Sequence, residues 1–441
     1  MKCIEDEIAF EMPEGWALAR LKHICMMVAG KSKAKEQIKS EPFAGSYPCF
    51  GGNGIRGYVD KYNQDGTFSI VGRQGALCGN INIASGKFYA TEHAVVTSLF
   101  YGIDFNWSNY ILEALQLNKH ATGAAQPGLS VANILNVFVP VPPTQEQERI
   151  GKAIVESIKV IETIEQEKMN LQTIVTNAKA KILDLAIRGQ LVPQNPDDEP
   201  LSALLERIRT EKEELIKQGK IKRDKKESTI FKSEDNSYYE KFADGTIKCI
   251  DEEIPFEIPD TWEWTRLKNC CSKEIKRGKS PKYVEKSKTL VFAQKCNTKY
   301  NGIDIKLALC LDENMLNKYP VDEYMCNGDI VINSTGTGTL GRVGYYQLSD
   351  NLEGYPIVPD SHITIIRACD NIHTFYLYLF MKANQGNLEK KGEGSTNQKE
   401  LKPLTLKEIL VPIPPYAEQK RIIKLIDSIF FKITAIEKNL S

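Results

Sequence analysis

CIEDEIAFEMPEGWALARLK at Cys3–Lys22 and CIDEEIPFEIPDTWEWTRLK at Cys249–Lys268 are one segment written twice. Eleven of the twenty positions are identical, among them Phe10/Phe256, Pro13/Pro259, Trp16/Trp262 and Arg20/Arg266. A second ungapped pair sets Gln126–Ile150 against Gln398–Ile422 with ten identities in 25 positions, including PVPP/PIPP and Glu146, Gln147, Arg149 and Ile150 against Glu418, Gln419, Arg421 and Ile422. Between these anchors the two copies differ almost completely. Self-similarity of this kind marks a duplicated architecture. Shared edges around unrelated centres imply one scaffold presenting two different faces, whereas a duplicated enzyme would keep its catalytic centre and let its edges drift. An old duplication whose surface loops diverged is the alternative.

Each interior reads as mixed β structure punctuated by glycine, as in TFSIVGRQGALCGNINIASGKFYATEHAVVTSLF (Thr67–Phe100), GDIVINSTGTGTLGRVGYYQL (Gly328–Leu348) and HITIIRA (His362–Ala368). A helix follows in each copy, near Ser108–Asn118 and Thr374–Ala383. Behind each PxPP the apolar period changes from two to about three and a half. The first seam runs Ile150, Ile154, Ser157, Ile161, Ile164, Lys168, Leu171, Val175, Ala178, Ile182 and Leu185. The second runs Ile422, Ile426, Ile429, Ile433, Ile436 and Leu440.

The first seam predicts a helix over 144–188, on the order of 65 Å long, started by its proline pair and stopped by Gly189. Two in-phase seams predict an intramolecular antiparallel pair, with separate helix-on-domain contacts as the alternative. The shorter second helix leaves part of the long seam for another subunit, and the long helix serves as a spacer. After the turn QLVPQNPDDEP come a charged helix near Pro200–Gly219 and a lysine-rich exposed linker, Lys220–Ser228. The expected organisation is a first domain over 1–143, a central helical region and linker over 144–248, a second domain over 249–415 and a C-terminal helix over 416–441. The fold class is α+β: two mixed, mostly β domains separated by long, antiparallel, coiled-coil-like helices.

Lysine plus arginine equals aspartate plus glutamate at 57 each, so a nucleic-acid surface, if present, must be local. Lys273–Lys288 carries seven basic residues against two acids, and Gly30–Lys39 four against one. Both runs follow RLK and are built around GKS, at matching points of the repeat. Such a run alone is more often a solvated surface than a phosphate contact. No apolar stretch approaches the ~18 residues that span a bilayer, and the acidic start does not suit a signal peptide, so a cytoplasmic place is expected. The eleven cysteines show no paired CxxC spacing and read as buried thiols, with no metal site expected.

Several motifs fail on inspection. Gly336–Gly341 (GTGTLG) satisfies GxGxxG literally, but RVGYYQL follows where a dinucleotide site needs a helix. It reads instead as a polar β-hairpin that can approach a phosphate backbone closely. IPPY (Ile413–Tyr416) lacks the acceptor that an amino-methyltransferase motif places first, and its duplicate VPPT (Val141–Thr144) lacks the aromatic as well. His93 and His362 have no nucleophile near them in sequence and read as structural histidines.

DEIPFEIPDTWEW, VPIPPYAEQKRI and above all KAKILDLAIRGQLVPQNPDDEPLSALLERIRTEKEELIKQGKIK (Lys179–Lys222) resemble the conserved regions of type I restriction-modification specificity subunits, over the whole chain. The resemblance implies two target-recognition domains, each reading half of a split double-stranded DNA sequence. It further implies helices that dock two modification subunits, with restriction-translocase subunits joining that core. The chain itself is then non-catalytic, with no cofactor or metal of its own; S-adenosylmethionine, ATP and magnesium belong to partner subunits. Candidate DNA contacts are Lys31, Lys33, Lys35, Asn53, Arg56, Arg73 and Gln74 in the first copy, and Lys276, Arg277, Lys279, Lys282, Thr335, Thr337, Thr339 and Arg342 in the second. Candidate helix-pairing and docking residues are Ile150, Ile154, Ile161, Ile164, Leu171, Val175, Ile182, Ile422, Ile426, Ile429 and Ile433. A specificity arm of another restriction-methylation system, or a coiled-coil scaffold that binds no DNA, is the alternative.

Overall fold

The computed structural model describes residues 12–75, 77–122, 127–224, 227–299, 302–393 and 399–440. Cys3 and Phe10 of the first repeat, and Gln126 and Gln398 of the second, lie outside them. The chain divides into two compact units, Met1–Glu167 and Lys168–Ser441, each built on the same plan.

The first unit contains β1 (Ala17–Arg20), β2 (Cys25–Ala29), β3 (Tyr47–Gly51), β4 (Gly54–Val59), β5 (Gln64–Asp65), β6 (Phe68–Gly72), β7 (Ile81–Ala84), β8 (Lys87–Ala90) and β9 (Ala94–Leu99). Helices α1 (Phe105–Ala114) and α2 (Val131–Leu135), strand β10 (Phe138–Val141) and the start of α3 (Thr144–Ile187) follow. One sheet has the order β2-β9-β6-β7 and a second β4-β3-β8-β5. Strand β1 pairs antiparallel with β10, Ala17 opposite Val141 and Arg20 opposite Phe138. The two repeat anchors are therefore the two halves of one ribbon, which is why they are kept together. Leu21, Val71, Val95, Trp107, Leu112 and Ile134 form the heart of the core between sheet and helices.

In the second unit α4 (Leu201–Lys217) precedes β11 (Ser228–Lys232), β12 (Tyr238–Phe242), β13 (Ile247–Cys249) and β14 (Glu263–Arg266). Then come β15 (Lys276–Arg277), β16 (Tyr283–Val284), β17 (Leu290–Phe292), β18 (Leu309–Leu311), β19 (Ile330–Asn333), β20 (Val343–Tyr345), β21 (Ile357–Pro359) and β22 (Ile363–Ile366). Helices α5 (Thr374–Ala383), α6 (Gln385–Lys390) and α7 (Pro403–Lys407), strand β23 (Leu410–Ile413) and helix α8 (Tyr416–Leu440) complete it. The sheet β15-β22-β19-β20 repeats the order of β2-β9-β6-β7, and β14 pairs with β23 as β1 does with β10. Segment 336–341 is the turn of the β19–β20 hairpin, with no helix after it.

The linker expectation needs correction: Ser228 is buried and opens a three-stranded meander, β11-β12-β13. Its turns are made by Asp235–Asn236, with Asn236 at φ 63°, and Asp244–Gly245, whose aspartates accept from Ser237 N and Thr246 N. Tyr238, Tyr239 and Phe242 lie between those turns, β-favouring aromatics whose signal is hidden behind the neighbouring lysines. Only Lys222–Asp224 are exposed among the described residues of the predicted linker that follow Ile221.

Helix α8 runs antiparallel to the end of α3. Lys179 Nζ meets Glu437 Oε2 at 2.7 Å, while Ile182 and Ala186 pack in one cluster with Ile422, Ile423 and Ile426. At the turn after α3, Gln194 Nε2 donates to Glu418 Oε1 (2.8 Å), Trp262 Nε1 donates to Glu418 Oε2 (3.0 Å), and Arg421 pairs with Asp198. Gly189 sits there at φ +68°, and a Cβ on it would lie 2.4 Å from Pro259 Cγ. The quoted QLVPQNPDDEP turn is thus a clamp on the start of α8. Among the described residues, no helix is long and apolar enough to cross a membrane.

Candidate nucleic-acid interface

The two units share a set of hydrogen bonds although their interiors share little sequence. Gly30 N donates to Ala94 O (3.0 Å) and Gly278 N to Ile363 O (2.9 Å). Arg73 N donates to His93 O (3.1 Å) and Ser334 N to His362 O (2.8 Å). The carbonyls of Arg73 and Ser334 in turn accept from Leu129 N and Leu401 N, both at 2.8 Å. A side chain cannot replace the GKS glycine: a Cβ would lie 2.1 Å from Ala90 O at Gly30 and 2.2 Å from Pro359 O at Gly278. The glycine lets each basic run cross the sheet in contact with its backbone.

The EQ of the second anchor has an equally concrete role. Gln147 accepts from Asp104 N (2.9 Å) and donates to Pro142 O (2.8 Å), and Gln419 accepts from His373 N (2.8 Å) and donates to Pro414 O (3.0 Å). Both glutamines are buried. They fasten the first turn of α3 and α8 to the start of α1 and α5. Likewise Arg20 Nη1 donates to Asn136 O and Arg266 Nη1 to Glu408 O.

On this frame the first unit carries an open groove lined by Gly51–Arg56, Gln74, Gly75, Leu77 and His93. Asn53 and Arg56, from one turn, meet Gln74 there, and all three are exposed; half-buried Arg73 adjoins Gln74. Asn53 accepts from Asn80 Nδ2 at 2.9 Å. Among the described residues no hydrogen bond or ion pair holds the side chains of Arg56, Arg73 or Gln74. His93, expected as a structural residue, is half-buried on the groove wall with Nε2 3.5 Å from Glu92 Oε1.

The matching region of the second unit is more closely tied. Gln294 Nε2 donates to Thr335 Oγ1 (2.6 Å) and to Thr335 O, and Thr335 Oγ1 bonds His362 Nδ1 at 2.8 Å. Thr339 Oγ1 donates to Thr335 O, and Arg342 spans Asn297 O and Gly338 O. Thr337 is exposed at the tip. Gln294 carried no sequence signal, since its role depends on a threonine 41 residues away.

The basic run of the second unit is largely neutralised within the chain. Lys276 and Lys279 reach Glu323 Oε1 at 2.8 and 3.5 Å, and buried Lys273 reaches Oε2 at 3.7 Å. Burial pushes the Glu323 carboxyl up, but hydrogen bonding to Lys276 and the surrounding lysines outweigh it and leave it below its ordinary value. Lys279 also donates to Lys318 O. Arg277 pairs with Glu400 (3.1 Å) and Lys282 with Asp312 (2.9 Å), which raises the Lys282 ammonium above its ordinary value. In the first unit Lys33 lies over the Tyr89 ring and pairs with Asp60 at 3.2 Å. Lys31 and Lys35 are exposed and have no such partner among the described residues.

The seam residues divide by position. Ile150 packs on the first core and Ile154 is half-buried. Val175, Ile422 and Ile426 are buried, and Ile182, Ile429 and Ile433 are half-buried. Ile161, Ile164 and Leu171 are 54%, 58% and 44% exposed, beside exposed Val160, Met169 and Ile174. The predicted pairing thus covers only the end of the seam, because α8 reaches Lys179 as it ends.

A family model described as the type I restriction modification DNA specificity domain matches residues 13–173 and 259–441. The chain belongs to this family. The two matched segments are the two ribbon-closed copies, each with the helix behind it. Among relatives of the specificity family, the EcoprrI specificity subunit of Escherichia coli is 49% identical over 125 residues, 27% of this chain and 31% of that protein. The EcoAI specificity subunit of Escherichia coli is 33% identical over 248 residues, 55% of this chain and 37% of that one. The chain thus spans about a third of the length of these two relatives. A putative specificity subunit of Haemophilus influenzae, S.HindORF215P, is 24% identical with 90% of this chain and 83% of that one covered. In fold, the chain is similar to the HsdS subunit of Thermoanaerobacter tengcongensis (TM-score 0.54, 13% identity, 99% and 94% covered). It is also similar to a chain of a type I R-M system solved to explain complex assembly (TM-score 0.58, 15% identity, 98% and 94% covered).

Proposed function

We propose that this chain is the sequence-specific DNA-binding specificity subunit of a type I restriction-modification enzyme, each unit reading one half of a bipartite target. The observation that carries this reading is one backbone frame repeated under two unlike sets of rim side chains. A common frame suits the phosphate backbone that every duplex shares, and unlike rims suit two unlike half-sites. Arg56, Asn53 and Gln74 are the side-chain types that bond guanine and adenine edges in the major groove. Lys31 and Lys35, with their charges free of in-chain acids among the described residues, suit phosphate.

The exposed apolar run from Val160 to Ile174 supports docking of two modification subunits on α3, with restriction-translocase subunits joining that core. In this reading the chain works in the cytoplasm, catalyses nothing itself and holds no cofactor; S-adenosylmethionine, ATP and magnesium act on its partners. The test is to map methylated adenines after expressing the chain with and without the modification subunits of its own system. The complex should give a split motif and the chain alone no methyl transfer. Exchanging one interior between its anchors should replace one half-site and leave the other. Methyl transfer by the chain alone, a continuous motif, or an exchange that scrambles both halves overturns the proposal.

A further inference from the structure

Gln74 and Thr335 occupy the same place in the two units, and four features of the backbone fix that place. Gly72 is paired with Ala94 and Asn333 with Ile363, so each residue lies two positions beyond an equivalent sheet pair. The intervening amides, Arg73 N and Ser334 N, donate to the carbonyls of His93 and His362. The intervening carbonyls accept from Leu129 N and Leu401 N. Gln74 then bridges Gly128, which bridges Thr122, while Thr335 bridges Glu400, which bridges Glu393. A residue held from both sides in this way cannot slip along its sheet.

The chemistry offered at the two places is unlike. Gln74 is exposed beside Asn53, Arg56 and His93, and its amide carries both a donor and an acceptor, the pattern that fits adenine N7 and N6. Thr335 has its hydroxyl occupied by Gln294 and His362, which leaves its methyl group as the unspent recognition element, suited to the thymine methyl.

Resting on the DNA-reading function proposed above, we infer that Gln74 and Thr335 are matched specificity positions that read the equivalent base pair of the two half-sites, His362 being a positioning residue for Thr335. If the same frame grips the same duplex backbone in each unit, two side chains at the same offset from that frame meet the same step of their half-sites. The histidines mark the comparison: they are shared, while the residues they flank are not.

The experiment uses the assembled complex of the full chain with its modification subunits, read by methylation mapping and by binding to duplexes changed one base pair at a time. Gln74→Ala should lose discrimination at one base pair of one half-site, by roughly 5- to 150-fold, the range a bidentate base contact supplies. Thr335→Gln should change the preferred base at one pair of the other half-site, at the same number of steps from that half-site's methylated adenine. His362→Ala should weaken discrimination at that same pair without changing the preferred base, and His362→Asn, which can still bond the threonine hydroxyl, should restore it. Gln74 is exposed, so its variants leave packing intact, and unchanged thermal unfolding confirms this. Changes at unmatched steps, changes in both half-sites from one substitution, or full discrimination in Gln74→Ala would overturn the inference. Absence of a split motif from the unsubstituted complex would instead refute the DNA-reading function on which it stands.

Discussion

Replacing Gln147 or Gln419 by leucine should destabilise the two units by similar amounts, because each glutamine does the same two jobs. In each case a half-buried backbone amide, Asp104 N or His373 N, loses its acceptor, and a buried proline carbonyl, Pro142 O or Pro414 O, loses a donor. A stranded donor costs roughly 1–3 kcal/mol when fully buried and less when half-buried, and a lost ordinary hydrogen bond roughly 0.5–1.5, so each variant should lose about 1–3 kcal/mol. At roughly 2–4 °C per kcal/mol for units of this size, the transition should fall by about 2–12 °C. Hydrogen exchange read by mass spectrometry is the suitable assay, since the peptides around Asp104 and His373 report each unit separately. The double variant should show the sum, because the two sites share no partner. Protection lost in one unit and unchanged in the other, or a cost below about 0.5 kcal/mol in both, would refute the claim that this anchor has one structural role used twice.

Gly189→Ala should destabilise the second unit by at least about 1–2 kcal/mol, the cost of a left-handed backbone for a side-chain-bearing residue, with the Pro259 contact added; calorimetry measures it. The buried pair Arg266–Glu240 sets an acid limit. Burial pushes the Glu240 carboxyl up, but hydrogen bonds from Arg266 and Ser228 outweigh this and leave it below its ordinary value of 4.5. Its stability contribution is therefore complete above that value and lost as pH falls through the lowered one, and Glu240→Gln should flatten this part of a stability-pH curve while lowering stability at pH 7. For DNA binding, Lys31→Gln with Lys35→Gln should reduce the salt slope by up to about 0.9 per lysine, whereas Lys279→Gln with Lys282→Gln should change it less, because those charges are already paired. Lengthening α3 by a few residues should alter the gap between half-sites and leave base identity alone, which methylation mapping reads directly.

What the sequence revealed and what it withheld separate along physical lines. Features set by local pattern were legible. Helix α3 was expected over 144–188 and spans Thr144–Ile187, and α5 was expected at its observed bounds. GTGTLG was expected to be a hairpin turn, because a strand pattern followed the glycines. The meander Ser228–Cys249 was missed although Asp-Asn and Asp-Gly turns announced it, since neighbouring lysines dominated the composition. Features set by distant partners were not legible. A run of lysines gives no sign that Glu323, Asp312 and Glu400 wait elsewhere to pair with it. An isoleucine seam likewise shows that a face will be covered without showing how far α8 reaches along it. The meeting of the Asn53–Arg56 turn with Gln74 in one groove depends on strand order, which no local spacing encodes.

The shared frame is held by main-chain atoms, by two glycines and by two buried glutamines, and hardly at all by the side chains on the rim. In the first unit, changes at Arg56, Gln74 or Asn53 therefore touch almost nothing that keeps the unit folded. Such a surface can drift through many substitutions while the protein stays above its stability threshold, and each step can alter what is bound without a compensating repair elsewhere. The second rim, where Gln294, Thr335 and His362 hold one another, lacks this freedom: a change at one leaves a polar group of another without its partner. The two halves of one chain should then diversify at different rates, the first by single steps and the second by replacement of several residues together.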